Sequence, residues 1–291
     1  MPAKLLDGKF LSAKIRDELR KEVSRIKEKS GIVAHLINIM IGNDAGACAY
    51  ANSQKKTADY IGINYELMTL PEDISQAELV EHIQKLNKDS SVHGIMIHKP
   101  VPSQINYRAV ANRIYIEKDL EGINVANIGK MILGETRLIP CTPAAVMEHV
   151  RSTGVPLRGK EAVIVGHSDI VGKPLSLLLM QEMATVTVCH LATSEAGRLV
   201  DHVRGADILV VAVGKAGLIK GEWIKKGAIV IDVGINKVGD KIQGDIEFET
   251  AREYAGYITP VPGGVGPVTV IMLMKNGIEA FKYQISNGKS L

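Results

Sequence analysis

Aromatic residues are scarce. Three Phe and one Trp stand in 291 positions, and aromatics make up 4% of the chain. A stacking platform for single-stranded nucleic acid is therefore not expected. The core must be aliphatic, which suits parallel sheets rich in Val and Ile. Cysteine is rare too. Cys48, Cys141 and Cys189 are scattered and odd in number, so they form neither a metal-ligand spacing nor a disulfide framework, and no metal site is expected. An excess of charge of one sign is nearly missing: the net value is +3 and no Lys/Arg block stands out, which argues against a nucleic-acid partner. No apolar run reaches the length of a membrane span. The opening segment is charged throughout and lacks the apolar region of a signal peptide. The expectation is a cytoplasmic protein without a membrane partner. Serine-elbow, Walker-loop, HExxH and paired CxxC patterns do not occur.

What is present is enough apolar sequence, 46% against 23% charged, to bury a core of one large or two ordinary domains. The first 140 residues alternate helical and strand periodicity, the pattern of an α/β layer. Helices are predicted from Ser12 to Lys29, Ala45 to Ile61 (closed by Gly62), and Gln76 to Lys88. Ser75 and Glu78 supply a capping box for the last of these. Strands are predicted at His35–Ile41, Asn64–Leu70 and Gly94–Ile97. The run His98-Lys99-Pro100-Val101-Pro102 must leave the ladder. Further on, apolar strands are read at Ala162–Val165, Thr185–Cys189, Ile208–Val213 and Ala228–Val233, with a shorter one at Ile258–Pro260. A helix to about Met183 follows the first of these, and another from Val268 to about Gln284 closes the chain.

The turn from Gly166 to Pro174 joins a strand to a helix, the place where a dinucleotide fold binds pyrophosphate. Its text is GxSxxxG and not GxGxxG, so taken alone it reads equally well as a plain tight turn. The strand ends Val213-Gly214-Lys215 and Val233-Gly234-Ile235 are expected on the same sheet edge and favour a nucleotide site. The second strand of this unit ends at Cys189-His190-Leu191. It carries neither the acid that meets a free 2′-hydroxyl nor the Arg that meets a 2′-phosphate. His167 can approach the ribose, though an imidazole is a poor substitute for a guanidinium fork. Tyr50 and Gln54 share a helix face, which alone describes an ordinary amphipathic helix. Lys118-Asp119-Leu120-Glu121-Gly122 alone reads as a solvated charged loop, and His98 as a packed or surface histidine. Pro260 to Pro267 holds three prolines and three glycines. Such a loop suits close approach to a flat ligand, or a stiff linker.

Taken together these motifs resemble the bifunctional methylenetetrahydrofolate dehydrogenase/methenyltetrahydrofolate cyclohydrolase family (FolD type). The matching stretches are Ile41-Gly42-Asn43-Asp44, Tyr50 with Lys56, Lys118-Asp119 with Gly122, Pro140-Cys141-Thr142-Pro143, Gly166 to Pro174, Ala206 to Gly221, Ile229 to Asn236, and the highly specific Thr259 to Thr269. The resemblance covers essentially the whole chain. It implies two α/β domains with a cleft between them, in a homodimer. Residues 1–142 with 273–291 would form the folate-binding domain, and 143–272 a Rossmann-like NAD(P)-binding domain. It implies hydride transfer from the methylene bridge of a folate substrate to NAD or NADP, then addition of water to the methenyl product. Tyr50, Gln54, His98 and Lys99 would stand at the catalytic positions, and Tyr50, Glu121, Pro262 and Gly263 against the substrate. Gly166, His167, Ser168, Gly172, Pro174, Leu191, Gly214, Ile235 and Thr259 would line the cofactor.

The sequence departs from the family pattern where the chemistry lies. The family reads Tyr-x-x-x-Lys-x-Lys; here the first lysine is Gln54. Its Gln-Leu-Pro is His98-Lys99-Pro100, its pterin-anchoring Asp is Glu121, and its His-Pro is Asn124-Val125. Glutamine carries no titratable proton. Water addition and ring opening need proton transfers, whereas hydride transfer needs alignment. The expectation is a dehydrogenase whose cyclohydrolase activity is weak or lost. Full bifunctionality with His98 or Lys99 substituting, a silent folate- or nucleotide-binding homologue, and a different pterin carrier are the alternatives. Family members that bind NADP carry Arg at 167 and a polar or basic residue at 191. His167 and Leu191 favour NAD, with a protonated His167 still able to aid NADP.

Overall fold

Short Val/Ile-rich runs separated by helices can close their backbone hydrogen bonds only as parallel strands, and that is the architecture found. The computed structural model describes residues 2–287. In chain order the elements begin with strand β1 (Lys4–Leu5), helix α1 (Gly8–Ser30), β2 (His35–Ile41), α2 (Ala45–Ile61), β3 (Asn64–Leu70), α3 (Gln76–Lys88) and β4 (Gly94–Ile97). Three helices without intervening strands follow: α4 (Tyr107–Ala111), α5 (Val125–Ile132) and α6 (Cys141–Ser152). Then come β5 (Glu161–Val165), α7 (Gly172–Gln181), β6 (Thr185–Cys189), α8 (Leu191–Glu195), α9 (Leu199–Gly205) and β7 (Ile208–Val211). The last part holds a 3-10 turn (Gly221–Trp223), β8 (Ile229–Asp232), β9 (Asn236–Val238), β10 (Lys241–Gln243), α10 (Phe248–Tyr254), β11 (Tyr257–Ile258) and α11 (Val265–Ser286).

The chain divides into two units. The first comprises residues 2–13 and 142–269, the second 14–141 and 270–287. The first holds a six-stranded parallel sheet in the order β1-β11-β8-β7-β5-β6. One of its layers packs Val163, Val165, Leu209, Val211, Val230 and Ile258 into an aliphatic core. The second unit holds a three-stranded parallel sheet, β3-β2-β4. Ile37, Ile39, Ile41, Ile95 and Ile97 bury one face of it with Leu79, Ile83 and Leu86 of α3.

Local signals in the sequence account for most of these boundaries. Asp44 accepts from the Ala47 N–H at the start of α2, and Gly62 ends that helix in the left-handed region (φ 86°). The Ser75/Glu78 capping box is formed at the head of α3. One boundary differs from expectation. Residues 2–13 belong with the first unit and not with 14–141, because β1 pairs in parallel with β11. A two-residue strand has no periodicity of its own to read. The β9–β10 hairpin, also absent from the sequence reading, is held in antiparallel register, Ile242 opposite Lys237. Among the described residues no helix is long and apolar enough to cross a membrane.

Candidate active site

In the first unit the sheet order itself locates a crevice. From β5 the chain moves outward to β6 and then returns to the other side at β7, so the connections diverge between the carboxyl ends of β5 and β7. Ligands of open parallel sheets bind at such a point. Two glycines are required there by space. Gly166 has φ +121°, and a Cβ on it would press on the Ala212 carbonyl. A Cβ on Gly172, the first residue of α7, would press on the Gly166 carbonyl. The turn thus has no room for side chains on its inner wall. No side chain caps the N-terminus of α7. Ser168 braces the turn: its Oγ accepts from the Val171 N–H (3.2 Å) and its carbonyl from the Lys173 N–H (3.1 Å). Pro174 is buried in the first helical turn. A bare-backbone cradle before an open helix N-terminus fits a dinucleotide pyrophosphate.

The remaining cofactor candidates are placed unequally. His167 is exposed, and its ring centre lies 5.3 Å from that of His190. Leu191, 73% exposed, opens α8 beside His190. Gly214 (φ +67°) is exposed on the loop after β7, and Ile235 is exposed beyond β8. Thr259 is fully buried and its hydroxyl accepts from the Asp232 N–H (2.8 Å), so its side chain braces β8 and presents nothing outward. Sequence reasoning missed two buried carboxylates that shape this edge. Asp245 accepts from the N–H groups of Val213 (2.7 Å), Gly214 (2.9 Å) and Lys215 (2.8 Å) and from Asn236 Nδ2 (2.8 Å). Asp232 accepts from Gly234, Asp245 and Ile246 N–H groups at 2.9–3.0 Å. Burial, with Asp245 adding to it, pushes Asp232 up to about 6 against those three bonds. A side chain on Gly234 would meet the Asp245 carboxylate, and one on Gly244 that of Asp232. The available signal was an acid at each end of the Gly-rich connection after an apolar strand.

Pro262 and Gly263 also lie in the first unit, on the loop before α11. Gly263 has φ +103°, and its carbonyl accepts from the Gly8 N–H (2.9 Å). A Cβ on Gly8 would overlap the Gly264 carbonyl.

Tyr50, Gln54, His98, Lys99 and Glu121 all belong to the second unit. Tyr50 and Gln54 come from one face of α2. His98 and Lys99 leave the end of β4, and Glu121 follows an isolated bridge between Ile95 and Asp119. Tyr50 and His98 meet edge to face, 6.0 Å between ring centres. Burial raises the Tyr50 hydroxyl well above its ordinary pKa, with the neighbouring Cys141 and Glu121 adding to the effect and a hydrogen bond from Gln54 opposing it. Glu121 Oε2 accepts from the Tyr107 hydroxyl (2.6 Å), and the Lys99 ammonium sits 3.9 Å from the centre of the Tyr107 ring. Burial, reinforced by Asp119, pushes Glu121 up to about 7, against the pull of Tyr107 and Lys99.

The structure sharpens two sequence readings and reverses a third. Gln54 is fully buried; its Oε1 accepts from Asn38 Nδ2 (2.7 Å) and the Tyr65 hydroxyl (2.9 Å). His98 is buried, and its Nε2 has no hydrogen-bond partner among the described residues. Burial lowers its pKa to about 4, so the ring is neutral near pH 7. The Lys118–Gly122 segment is not a solvated loop. Lys118 is buried and donates to the carbonyls of Leu86 (3.0 Å), Asn87 (2.9 Å) and Asp89 (2.7 Å), closing the C-terminus of α3. Asp119 is buried as well, accepting from the Gly122 and Asn124 N–H groups and from Asn127 Nδ2. Local sequence could not show this, because the helix end that receives the lysine lies about thirty residues upstream.

A parallel-sheet unit with a cradle that fits a pyrophosphate, together with a second α/β unit carrying a cluster of titratable groups, is the arrangement of a two-domain nicotinamide dinucleotide enzyme. The family model for the tetrahydrofolate dehydrogenase/cyclohydrolase catalytic domain matches residues 6–121, and that for its NAD(P)-binding domain matches residues 140–285. The bifunctional protein FolD of Moorella thermoacetica is 46% identical over 96% of this chain and 99% of its own. The crystal structure of the bifunctional FolD methylenetetrahydrofolate dehydrogenase/cyclohydrolase from Campylobacter jejuni superposes with a TM-score of 0.93 at 41% identity, covering 97% of this chain and 99% of that one. The Trypanosoma brucei enzyme, complexed with NADP and an inhibitor, gives 0.93 at 39% identity over 98% and 99%. The chain belongs to the tetrahydrofolate dehydrogenase/cyclohydrolase (FolD) family, whose members serve folate one-carbon metabolism with a nicotinamide dinucleotide as cofactor.

Proposed function

We propose that this chain oxidises 5,10-methylenetetrahydrofolate to the 5,10-methenyl form and hydrolyses the product weakly or not at all. The observation that carries the reading is the group at position 54: a buried amide whose oxygen already accepts two hydrogen bonds. Bound dinucleotide supplies the hydride acceptor. The Gly166–Gly172 turn and the open start of α7 would hold its pyrophosphate. Tyr50 would bound the folate ring, and Glu121 would accept from its N–H edge. Hydride transfer asks these residues for alignment and for exclusion of water. Hydrolysis asks in addition for a group that takes a proton from water and returns one to nitrogen. Gln54 exchanges no proton, and His98, with its pKa near 4, is a weak base at neutral pH.

The test is a two-channel assay on methylenetetrahydrofolate, following nicotinamide reduction and methenyl absorbance in one sample. Reduction with methenyl decay at the uncatalysed rate is the expected result. Enzyme-accelerated decay that disappears in His98→Ala would establish the bifunctional alternative instead. Folate binding without any reduction would mark a silent homologue.

We further propose a preference for NAD. The rim of the cradle carries His167, His190 and the exposed, apolar Leu191, and none of them is a guanidinium fork for a 2′-phosphate. At pH 8 the kcat/KM with NAD+ is expected to exceed that with NADP+ by at least about fivefold, and His167→Arg to raise the NADP+ value roughly tenfold. A wild-type preference for NADP+ would overturn this reading.

A further inference from the structure

The opposite charges of Lys99 and Glu121 do not meet directly; they share Tyr107. Lys99 is exposed, two residues beyond the end of β4. Tyr107 opens α4 and packs against the aliphatic cluster on the β3-β2-β4 sheet. Glu121 follows a segment that β4 holds in place: the Ile95 N–H donates to the Lys118 carbonyl (2.7 Å), and the Leu120 N–H to the Ile95 carbonyl (3.2 Å). The Lys99 ammonium lies 3.9 Å from the centre of the Tyr107 ring, and the Tyr107 hydroxyl donates to Glu121 Oε2 at 2.6 Å. Among the described residues Lys99 makes no ion pair, and Tyr107 is the one side chain hydrogen-bonded to Glu121. Two departures from the family pattern are thereby joined through a third residue that the sequence reading did not single out.

A direct ion pair would satisfy each charge with the other. The shared phenol does not. An ammonium on a ring face is held by the ring quadrupole and keeps N–H donors for a ligand. The carboxylate receives its bond at Oε2 and keeps Oε1 as an acceptor. Burial, with Glu121 adding to it, keeps the proton on Tyr107, so the phenol donates to the carboxylate. The result is an acceptor and a donor one ring apart, each with capacity left. A ligand edge that fits them carries a donor beside an acceptor, as a cyclic amide does. The pyrimidinone edge of a 4-oxopterin is such an edge: its N3–H suits the carboxylate and its C4=O suits the ammonium.

We propose that Lys99 is a specificity-determining residue that donates to the 4-oxo group of the pterin, and that Tyr107 is the positioning residue that holds Lys99 and Glu121 apart as a matched pair. A pterin with an amine at position 4 would set donor against donor at Lys99 and be rejected. Without the Tyr107 ring the ammonium is released to neutralise Glu121, and the pair is lost to the ligand. The inference rests on the reading of Glu121 as the group that meets the pterin.

The test is isothermal titration of the full-length protein, with NAD+ present, at pH 8, where Glu121 is ionised. The probes are tetrahydrofolate and its 4-amino-4-deoxy analogue, which carries an NH2 in place of the oxygen. Wild type is expected to bind the 4-oxo form at least about tenfold more tightly. Lys99→Met should bring the two affinities to within about twofold, chiefly by weakening the 4-oxo form. Tyr107→Leu removes the platform and should do the same, and adding Lys99→Met to it should change the ratio no further. Tyr107→Phe keeps the ring and loses the hydroxyl; it should weaken both ligands and leave their ratio as in wild type. An unchanged ratio in Lys99→Met would overturn the proposal. Equal losses from Lys99→Met on the wild-type and Tyr107→Leu backgrounds would overturn the positioning role of Tyr107. Lys99 is exposed, so Lys99→Met still decides the matter should Tyr107→Leu fail to fold. Binding of neither probe would overturn the folate reading and this inference with it, whereas binding of both to wild type with equal affinity would overturn this inference alone.

Discussion

Replacing Asp245 by alanine is expected to lower the melting temperature by roughly 6–12 °C and to raise the KM for NAD+ at least about tenfold. Asp245 is fully buried and accepts four hydrogen bonds, three of them from consecutive backbone N–H groups of Val213, Gly214 and Lys215. Deleting the carboxylate leaves those donors without their partner. Loss of one partner in a buried charged set costs about 3 kcal/mol. For a unit of this size each kcal/mol moves the midpoint roughly 2–4 °C. The same three N–H groups belong to the loop after β7, so the cofactor edge loosens together with the fold. Relief of repulsion from Asp232 works the other way, but Asp232 is itself held by three N–H bonds and stays in place. Asp245→Asn separates the two effects. It restores volume and one acceptor while turning an NH2 onto donors, and should recover only part of the loss. Differential scanning calorimetry with parallel NAD+ kinetics makes the measurement, and an unchanged midpoint in the alanine variant would refute the account.

The second large effect concerns Glu121. In the folded protein its pKa is raised to about 7, so below that pH the carboxyl is protonated and donates, and above it the carboxylate accepts. A pterin edge presents N–H donors and therefore prefers the carboxylate. The KM for methylenetetrahydrofolate is expected to fall as pH rises from 6 to 8, by up to about tenfold per unit below the pKa. Glu121→Gln cannot ionise. Its KM should be flat over that range and lie roughly 10- to 100-fold above the wild-type value at pH 8. Tyr107→Phe removes the 2.6 Å bond to Oε2 and should shift the inflection without flattening it. A wild-type KM that is constant from pH 6 to 8 would show that Glu121 does not titrate in contact with substrate.

Elements whose signals are local were legible. The bounds of α2 and α3 are set by Asp44, Gly62, Ser75 and Glu78, and all four could be read from neighbouring residues. The glycine turn after β5 was legible for the same reason: strand, turn and helix follow one another directly. What escaped depends on partners distant in sequence. Lys118 looks like any loop lysine until the end of α3 is placed under it. Asn38 looks like an imperfection in a strand until Gln54 and Tyr65 are brought to it from α2 and β3. Asp245 looks like a hairpin residue until the loop after β7 folds over its oxygens. His98 shows the complementary case. The substitution itself was plain in the sequence, but the burial that holds the imidazole neutral and its edge-to-face contact with the Tyr50 ring of α2 depend on residues distant in sequence. The departures from the family pattern were thus visible one by one, and their physical meaning came from the side chains gathered behind them.

The pairing of β1 with β11 bears on how the protein is made. Lys4 and Leu5 leave the ribosome long before the strand that receives them, Tyr257–Ile258. At about 5–20 residues per second the wait is roughly ten seconds to a minute. The three-stranded sheet of the second unit, β2 to β4, is complete before the first half of that interval has passed. During synthesis, then, one sheet can form early while the six-stranded sheet lacks a rim until β11 has been made. Over that period the edge of β11's future neighbour β8, and the free N-terminal strand, are the surfaces with which a chaperone or another nascent chain would compete.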